Sequence, residues 1–211
     1  YGLFLISLCV REELGMNLPN KLTLLRVILT VVFLAVFLID FPFHYLISGC
    51  IFGLAAITDL LDGKIARRAG LVTNFGKFLD PIADKMLTTA AFLGFVSIGK
   101  MNIWALMLIL TREFAVTSVR LMAASSGQVI AANMGGKFKT VLQFVSILWL
   151  LAALEFAGWS ASILSGAALP SAAFTVPVLI GEILLWLAAI STVLSGLQYI
   201  LANRTLFQDI K

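Results

Sequence analysis

The chain has 211 residues, of which 61% are hydrophobic and only 12% are charged. A soluble domain keeps about a quarter of its residues charged, so this composition excludes soluble and disordered proteins and indicates a membrane protein. The 15 Lys and Arg against 11 Asp and Glu give a net charge of +4. In a membrane protein, such an excess reports orientation and lipid headgroup contact rather than nucleic-acid binding.

The chain divides into a short N-terminal segment and one membrane domain. We interpret residues 1–15 as a tag, linker or upstream extension, because Met16 can open the functional chain, and residues 16–211 as a single domain. A bilayer-spanning helix needs about 20 residues. Six apolar runs predict an all-α integral membrane protein with transmembrane helices at residues 22–39, 43–66, 78–99, 102–124, 139–157 and 176–202. The uncharged segment 158–175 is either an extracytoplasmic loop or a re-entrant turn.

Basic residues are distributed unevenly between the two sides of such a bundle. Antiparallel tracing leaves Lys100 as the basic residue of one side. The positive-inside bias therefore predicts that the other side, with both termini, faces the cytoplasm. That side holds Arg11, Lys21, Arg26, the 64–77 and 125–139 connections, Arg204 and Lys211.

Four carboxylates stand where a membrane helix tolerates them least. Asp59, Asp62, Asp80 and Asp84 lie within 26 positions, at the joining ends of the second and third predicted helices. An ionised carboxylate at membrane depth costs about 2.5–3.5 kcal/mol even on lenient insertion scales. Each pair has a helical spacing of three or four residues, so each pair occupies one face of its helix. The two helices together predict one cluster of four carboxylates.

Clustered carboxylates need cations, because like charges raise one another's pKa values. Oxygen ligands without nearby His or Cys favour a hard ion, Mg²⁺ or next Mn²⁺, and four carboxylates suffice for two metals about 3.5–4 Å apart. The simpler alternative is that these acids pair with Arg67, Arg68, Lys77 and Lys85 at the membrane surface.

The spacing of these residues follows the pattern D-x-x-D-G-x-x-A-R-x8-G-x-x-x-D-x-x-x-D over residues 59–84. It resembles the signature of the CDP-alcohol phosphotransferases at each of its eight specified positions. The resemblance implies a six-helix membrane enzyme of the bacterial cytoplasmic membrane, a homodimer. It implies that two divalent metals, Mg²⁺ or Mn²⁺, assist displacement of CMP from a CDP-linked substrate.

The same resemblance implies roles for individual residues. Asp59, Asp62 and Asp80 correspond to metal ligands, and Asp84 to the residue that both takes the proton from the acceptor hydroxyl and touches the second metal. Glycine has no side chain and so lets a diphosphate approach the helix backbone, and the guanidinium group of an arginine binds phosphate through two parallel N–H donors. The residues expected to bind CDP-diacylglycerol are Asn20, Thr23, Gly63, Ala66, Arg67 and Gly76. Asn20 and Thr23 have an equally good structural interpretation as helix-capping residues.

A second set of charges, outside the signature, bears on the acceptor. Basic residues in a membrane segment need negative charge, which a phosphate-bearing substrate supplies. The residues are Arg112 and Arg120 in the fourth predicted helix and Lys137 and Lys139 at the start of the fifth. With the N-terminal P-N-x-x-T-x-x-R element, they resemble the bacterial family members that use sn-glycerol 3-phosphate as acceptor. Alternatively, Lys137 and Lys139 anchor the helix to headgroups, and Glu113 solvates Arg112.

Two further function classes remain open from the sequence. A family member of the cardiolipin synthase type also takes a phosphate-bearing acceptor. A divalent-metal or proton-coupled transporter would use the carboxylates as a transport site, but its charges should follow a path through the membrane. Here they crowd one side, and the other side holds little beyond Asp40, Lys100, Glu155 and Glu182.

Overall fold

The computed structural model describes residues 18–69, 74–125, 134–163 and 172–203. Within these ranges the chain forms six α-helices and no strand, which confirms the all-α prediction. Residues 1–15, the centre of the 158–175 segment, Arg204 and Lys211 lie outside the described residues, so the predictions for them stay predictions. The helices are α1 (Leu18–Leu38), α2 (His44–Ala69), α3 (Asn74–Ser97), α4 (Ile103–Ser125), α5 (Met134–Ile163) and α6 (Ala172–Ala202).

Several helices extend beyond the apolar runs that predicted them. α5 begins at Met134 rather than at 139 and continues to Ile163 rather than ending at 157. Hydropathy ends a span at the first charged residues, whereas backbone hydrogen bonding continues through Lys and Arg, which are good helix formers. As a consequence, Lys137 and Lys139 lie in the first turns of a helix, where their side chains have fixed directions.

Within the described residues, three helices are long and apolar enough to cross a membrane. They contain the stretches Lys21–Leu38 in α1, Gly135–Trp159 in α5 and Thr175–Ala202 in α6. α2 and α3 have shorter apolar stretches, His44–Asp59 and Lys85–Ser97. The rest of these two helices carries the charged motif. The chain is therefore an all-helical membrane protein, and crossing by all six helices stays a prediction.

Large apolar side chains fill the space between the helices and also cover the outside. α1 packs against α2 and α3, α2 packs against α5, and α6 packs against α4 and α5. Leu24, Ile28 and Val31 on the outer face of α1 are exposed, as expected for a surface that contacts lipid instead of water. The largest fully buried apolar side chains are Phe33, Phe37, Phe52, Phe92, Phe95, Ile147, Leu150 and Leu151.

The bundle has a charged end, defined by Arg26, Asp59, Lys85, Glu113 and Lys139, and an opposite end. At the opposite end, the buried carboxylate of Glu155 accepts a hydrogen bond from the Leu46 amide (3.0 Å) and another from the Trp159 indole nitrogen (2.6 Å). The first amides of a helix have no partner within the helix, so an acidic group stabilises this terminus. Glu155 thereby fixes the start of α2 against α5.

Contact between α5 and α6 depends on a glycine and on a buried polar pair. Gln143 donates a hydrogen bond to Thr192 across the two helices (3.1 Å). A Cβ placed on Gly181 would lie 2.8 Å from Leu150 Cδ1 and 3.3 Å from Leu150 Cα. Small residues let membrane helices approach closely, and this close approach brings the α6 polar residues to α5.

We expect Gly181→Ala to destabilise the protein by about 1–3 kcal/mol, because the added methyl group meets the Leu150 backbone and cannot be accommodated by a side-chain rotation alone. Thermal unfolding in detergent measures the effect. Gly53→Ala in α2 is the matched control, because a Cβ there has nothing within 4 Å and alanine is the better helix former. Equal melting temperatures for the two variants would contradict the prediction.

Candidate active site

The four motif aspartates lie on the two helices that residues 70–73 connect. Asp59 and Asp62 lie in α2, and Asp80 and Asp84 lie in α3. A connection of this length keeps the facing helix ends within about 18 Å, so all four residues belong to the charged end. Among the described side chains no group of three or more metal-ligating residues occurs, and Asp59 is the one motif aspartate whose side chain is described. The four-carboxylate cluster therefore stays a prediction.

Asp59 contacts a cation from the first helix. Arg26 Nη1 lies 2.5 Å from Asp59 Oδ1, and the Arg26 side chain is 3% exposed whereas that of Asp59 is 37% exposed. A buried guanidinium needs a partner, and the carboxylate compensates its charge. A carboxylate has about four lone-pair sites, so this contact is compatible with ligation of a metal by the same group. The pair also fixes α1 against α2 beside the motif.

Thr23 lies one turn before Arg26 on the same buried face of α1 and is 1% exposed. It therefore faces the other helices and not the lipid, and its contact with a substrate stays a prediction. The other residues predicted to bind the nucleotide lie in helices, but their side chains are outside the described part of the structure, and their roles stay predictions. These residues are Asn20, Gly63, Ala66, Arg67 and Gly76.

The four residues predicted to hold the acceptor phosphate line one cavity. The cavity has a volume of about 410 Å³ and lies between α3, α4, α5 and α6. Five cationic side chains and one carboxylate, that of Glu113, are among its lining residues. Such a surplus of positive charge favours an anionic ligand. The cationic residues are Lys85, Arg112, Arg120, Lys137 and Lys139.

Glu113 organises the cationic side chains. Lys139 Nζ contacts Glu113 Oε1, and Arg112 Nη1 lies 3.5 Å from the same oxygen. Lys85 Nζ donates to the Glu113 backbone carbonyl (3.0 Å) and to the Thr117 hydroxyl. Glu113 is thus a partner for Arg112, as the alternative interpretation predicts. Its contacts with Lys85 and Lys139 also connect α4 to α3 and α5.

Arg112 is held against α6. Its Nη2 donates to Ser195 Oγ (2.8 Å), and a Cβ on Gly196 would overlap Arg112 Cγ and lie 3.1 Å from Nε. The guanidinium therefore crosses α6 at a point where only glycine leaves room. Its Nε is buried and has no hydrogen-bond partner within the described residues. An unpaired buried donor of this kind at a cavity wall is available to a ligand.

Sequence reasoning missed several residues of this cavity. The sequence indicates Lys85 only as a surface ion-pair partner, whereas it lines the cavity and directly follows Asp84 of the motif. Thr117, Ser195 and Tyr199 also line it. The sequence does contain polar residues one turn apart on otherwise apolar helices, which is typical of a shared polar face. Periodicity alone does not show which neighbouring helix that face contacts.

Comparisons with known proteins agree on one family. The family model described as CDP-alcohol phosphatidyltransferase matches residues 16–194. A CDP-diacylglycerol–glycerol-3-phosphate 3-phosphatidyltransferase of Bacillus subtilis is 39% identical, over 89% of this chain and 95% of the relative. An enzyme of the same name from Rickettsia bellii is 35% identical, over 90% and 97% respectively. A probable phosphatidylglycerophosphate synthase of Mycobacterium tuberculosis is 45% identical, over 62% of this chain and 64% of the relative.

We expect Glu113→Gln to destabilise the protein by about 3–5 kcal/mol, because it removes the charge that compensates Lys139 and Arg112 in a largely buried position. The matched control is Glu182→Gln at the opposite end, where the Lys100–Glu182 pair (3.6 Å) is more than one third exposed. Loss of that pair should cost at most about 1 kcal/mol. Thermal unfolding of both variants in detergent tests the difference. An equal loss of stability in the two variants would contradict the prediction that Glu113 compensates buried charge.

Proposed function

Because the chain belongs to the CDP-alcohol phosphatidyltransferase family, we propose that it transfers the phosphatidyl group of CDP-diacylglycerol to sn-glycerol 3-phosphate. The products are phosphatidylglycerophosphate and CMP. The names of the Bacillus subtilis and Rickettsia bellii relatives describe this reaction. Family membership makes the chain a transferase, so the transporter alternative no longer applies.

The observation that carries the choice of acceptor is the position of the cationic cavity. Lys85, one of its lining residues, is the neighbour of Asp84 in α3. A phosphate monoester carries between about 1.5 and 2 negative charges near neutral pH, and the surplus of cations in the cavity complements it. An uncharged alcohol or a zwitterionic serine would leave this charge uncompensated. Arg112, Arg120, Lys137 and Lys139 therefore hold the acceptor phosphate in this proposal.

The family uses divalent metal ions, and the donor set of Asp59, Asp62, Asp80 and Asp84 suits two hard ions, Mg²⁺ or Mn²⁺. Ions held by these aspartates would neutralise charge on the diphosphate and on the departing CMP. Asn20, Thr23, Gly63, Ala66, Arg67 and Gly76 contact the nucleotide and diphosphate of CDP-diacylglycerol.

The reaction is a direct displacement at phosphorus. Asp84 accepts the proton of the glycerol 1-hydroxyl while the hydroxyl oxygen attacks the phosphorus that bears the diacylglycerol. The new P–O bond forms as the bond to the bridging diphosphate oxygen breaks, and CMP leaves with that oxygen. The cationic cavity positions the acceptor, which converts an encounter in solution into a reaction between oriented groups. The site faces the cytoplasm, where both substrates' polar parts are present, and the enzyme is a homodimer.

The purified chain in detergent, given CDP-diacylglycerol and Mg²⁺ or Mn²⁺, should release CMP when glycerol 3-phosphate is added. Glycerol, serine and phosphatidylglycerol in its place should give little CMP, and EDTA should stop the reaction until metal is restored. Chromatography of CMP and of the lipid product measures each arm. Release of CMP with phosphatidylglycerol but not with glycerol 3-phosphate would instead identify the cardiolipin synthase type.

Asp84→Asn should lower kcat by about 10²–10⁴-fold, because the amide cannot take the hydroxyl proton, while size-exclusion and circular dichroism profiles stay unchanged. Asp40→Asn is the matched control, since Asp40 is exposed near the start of α2 at the opposite end. It should leave kcat unchanged. A folded Asp84→Asn variant with wild-type kcat would exclude Asp84 as the base.

A further inference from the structure

Tyr199 of α6 has a buried hydroxyl without a hydrogen-bond partner among the described residues. The side chain is 4% exposed and lines the cationic cavity. Buried hydroxyls in proteins are nearly always hydrogen-bonded, since an unpaired one loses its bonds to water without replacement. Phenylalanine would fill the same apolar space beside Val116 and Val119 without that loss. Packing therefore accounts for the ring of Tyr199 but not for its hydroxyl.

The surroundings of Tyr199 indicate what the hydroxyl binds. The Arg120 guanidinium lies over the Tyr199 ring, 5.9 Å from its centroid. One turn earlier on α6, Ser195 accepts the hydrogen bond that orients Arg112, whose buried Nε likewise has no partner within the described residues. Two guanidinium groups and one phenol hydroxyl thus line the same cavity as hydrogen-bond donors, and Glu113, 3.5 Å from Arg112 Nη1, is the one carboxylate among the lining residues.

Two of the other lining cations, Lys139 and Lys85, have partners within the protein. Glu113 compensates Lys139, and Lys85 donates to the Glu113 carbonyl and to Thr117. An incoming anion supplies the acceptor that the Tyr199 hydroxyl and Arg112 Nε lack among the described residues. Lys85, the neighbour of Asp84 in α3, lines the same cavity.

We infer that the Tyr199 hydroxyl, with Arg112 Nε and the Arg120 guanidinium, forms the subsite for a phosphate monoester, in which the phenol donates a hydrogen bond to a phosphate oxygen. Tyr199 is thereby a specificity-determining residue for phosphorylated over unphosphorylated acceptors. A site built to bond a polar group discriminates strongly against ligands that lack it. The inference rests on the proposed function for the identity of the acceptor, but phosphate binding itself is testable without turnover.

The test compares the wild-type chain with Tyr199→Phe and with a matched control, Tyr45→Phe, whose residue lies in α2 at the opposite end. Isothermal titration in detergent with inorganic phosphate, glycerol 3-phosphate and CDP measures each affinity. Tyr199→Phe should weaken phosphate and glycerol 3-phosphate binding about tenfold and leave CDP unchanged, since one hydrogen bond to a charged group is lost. The KM for glycerol 3-phosphate should rise about tenfold with kcat within about twofold. Tyr45→Phe should match wild type.

A second measurement needs no substitution at Tyr199 in the sample. The chain has three tyrosines, so 3-fluorotyrosine labelling gives three ¹⁹F resonances, which the two Phe variants assign. Added phosphate should shift the Tyr199 resonance and leave that of Tyr45 in place.

Equal phosphate affinity in wild type and Tyr199→Phe, an unshifted Tyr199 resonance, or a loss confined to CDP would each overturn the inference. Phosphate binding that depends on Tyr199 in a chain that releases no CMP with glycerol 3-phosphate would support the subsite and overturn the proposed function. If Tyr199→Phe releases CMP with an unchanged KM for glycerol 3-phosphate, the proposed function is supported and the subsite is overturned.

Discussion

The carboxylate of Glu113 lies between Lys139 and Arg112, and its backbone carbonyl accepts from Lys85. Cations inside a membrane-embedded bundle are costly unless they are paired or satisfied by a ligand. One acidic residue on α4 thus permits basic groups from α3, α4 and α5 to meet around a cavity. Because the single negative charge of Glu113 is smaller than the summed positive charge of the basic side chains, the cavity keeps a surplus of positive charge that favours an anion.

The motif aspartates and the cationic cavity meet in α3. In the proposed function the aspartates attract cations, and the cavity attracts anions. Lys85 follows Asp84 in α3, so the junction of the two sets is fixed by a single helix. In the proposed reaction this arrangement separates the diphosphate that is cleaved from the phosphate that only positions the acceptor.

The rest of the bundle serves to hold these groups at fixed positions. The close approach at Gly181 brings α6 to α5, and the space over Gly196 admits Arg112. At the opposite end, Glu155 fixes the start of α2 through the Leu46 amide. These contacts hold the helices together. As at the charged end, pairing of a buried polar group avoids the cost of leaving it without a partner in an apolar environment.

The sequence by itself determined the helical membrane class, the aspartate motif and the four basic residues that line one cavity, because composition, spacing and residue type are local properties. It placed the start of α5 too late, because hydropathy does not record hydrogen bonding through Lys137 and Lys139. Tertiary structure alone decided that Ser195 orients Arg112 and that Tyr199 lies against Arg120. Such contacts join residues about 80 positions apart, and they depend on which helices pack together, which no local pattern specifies.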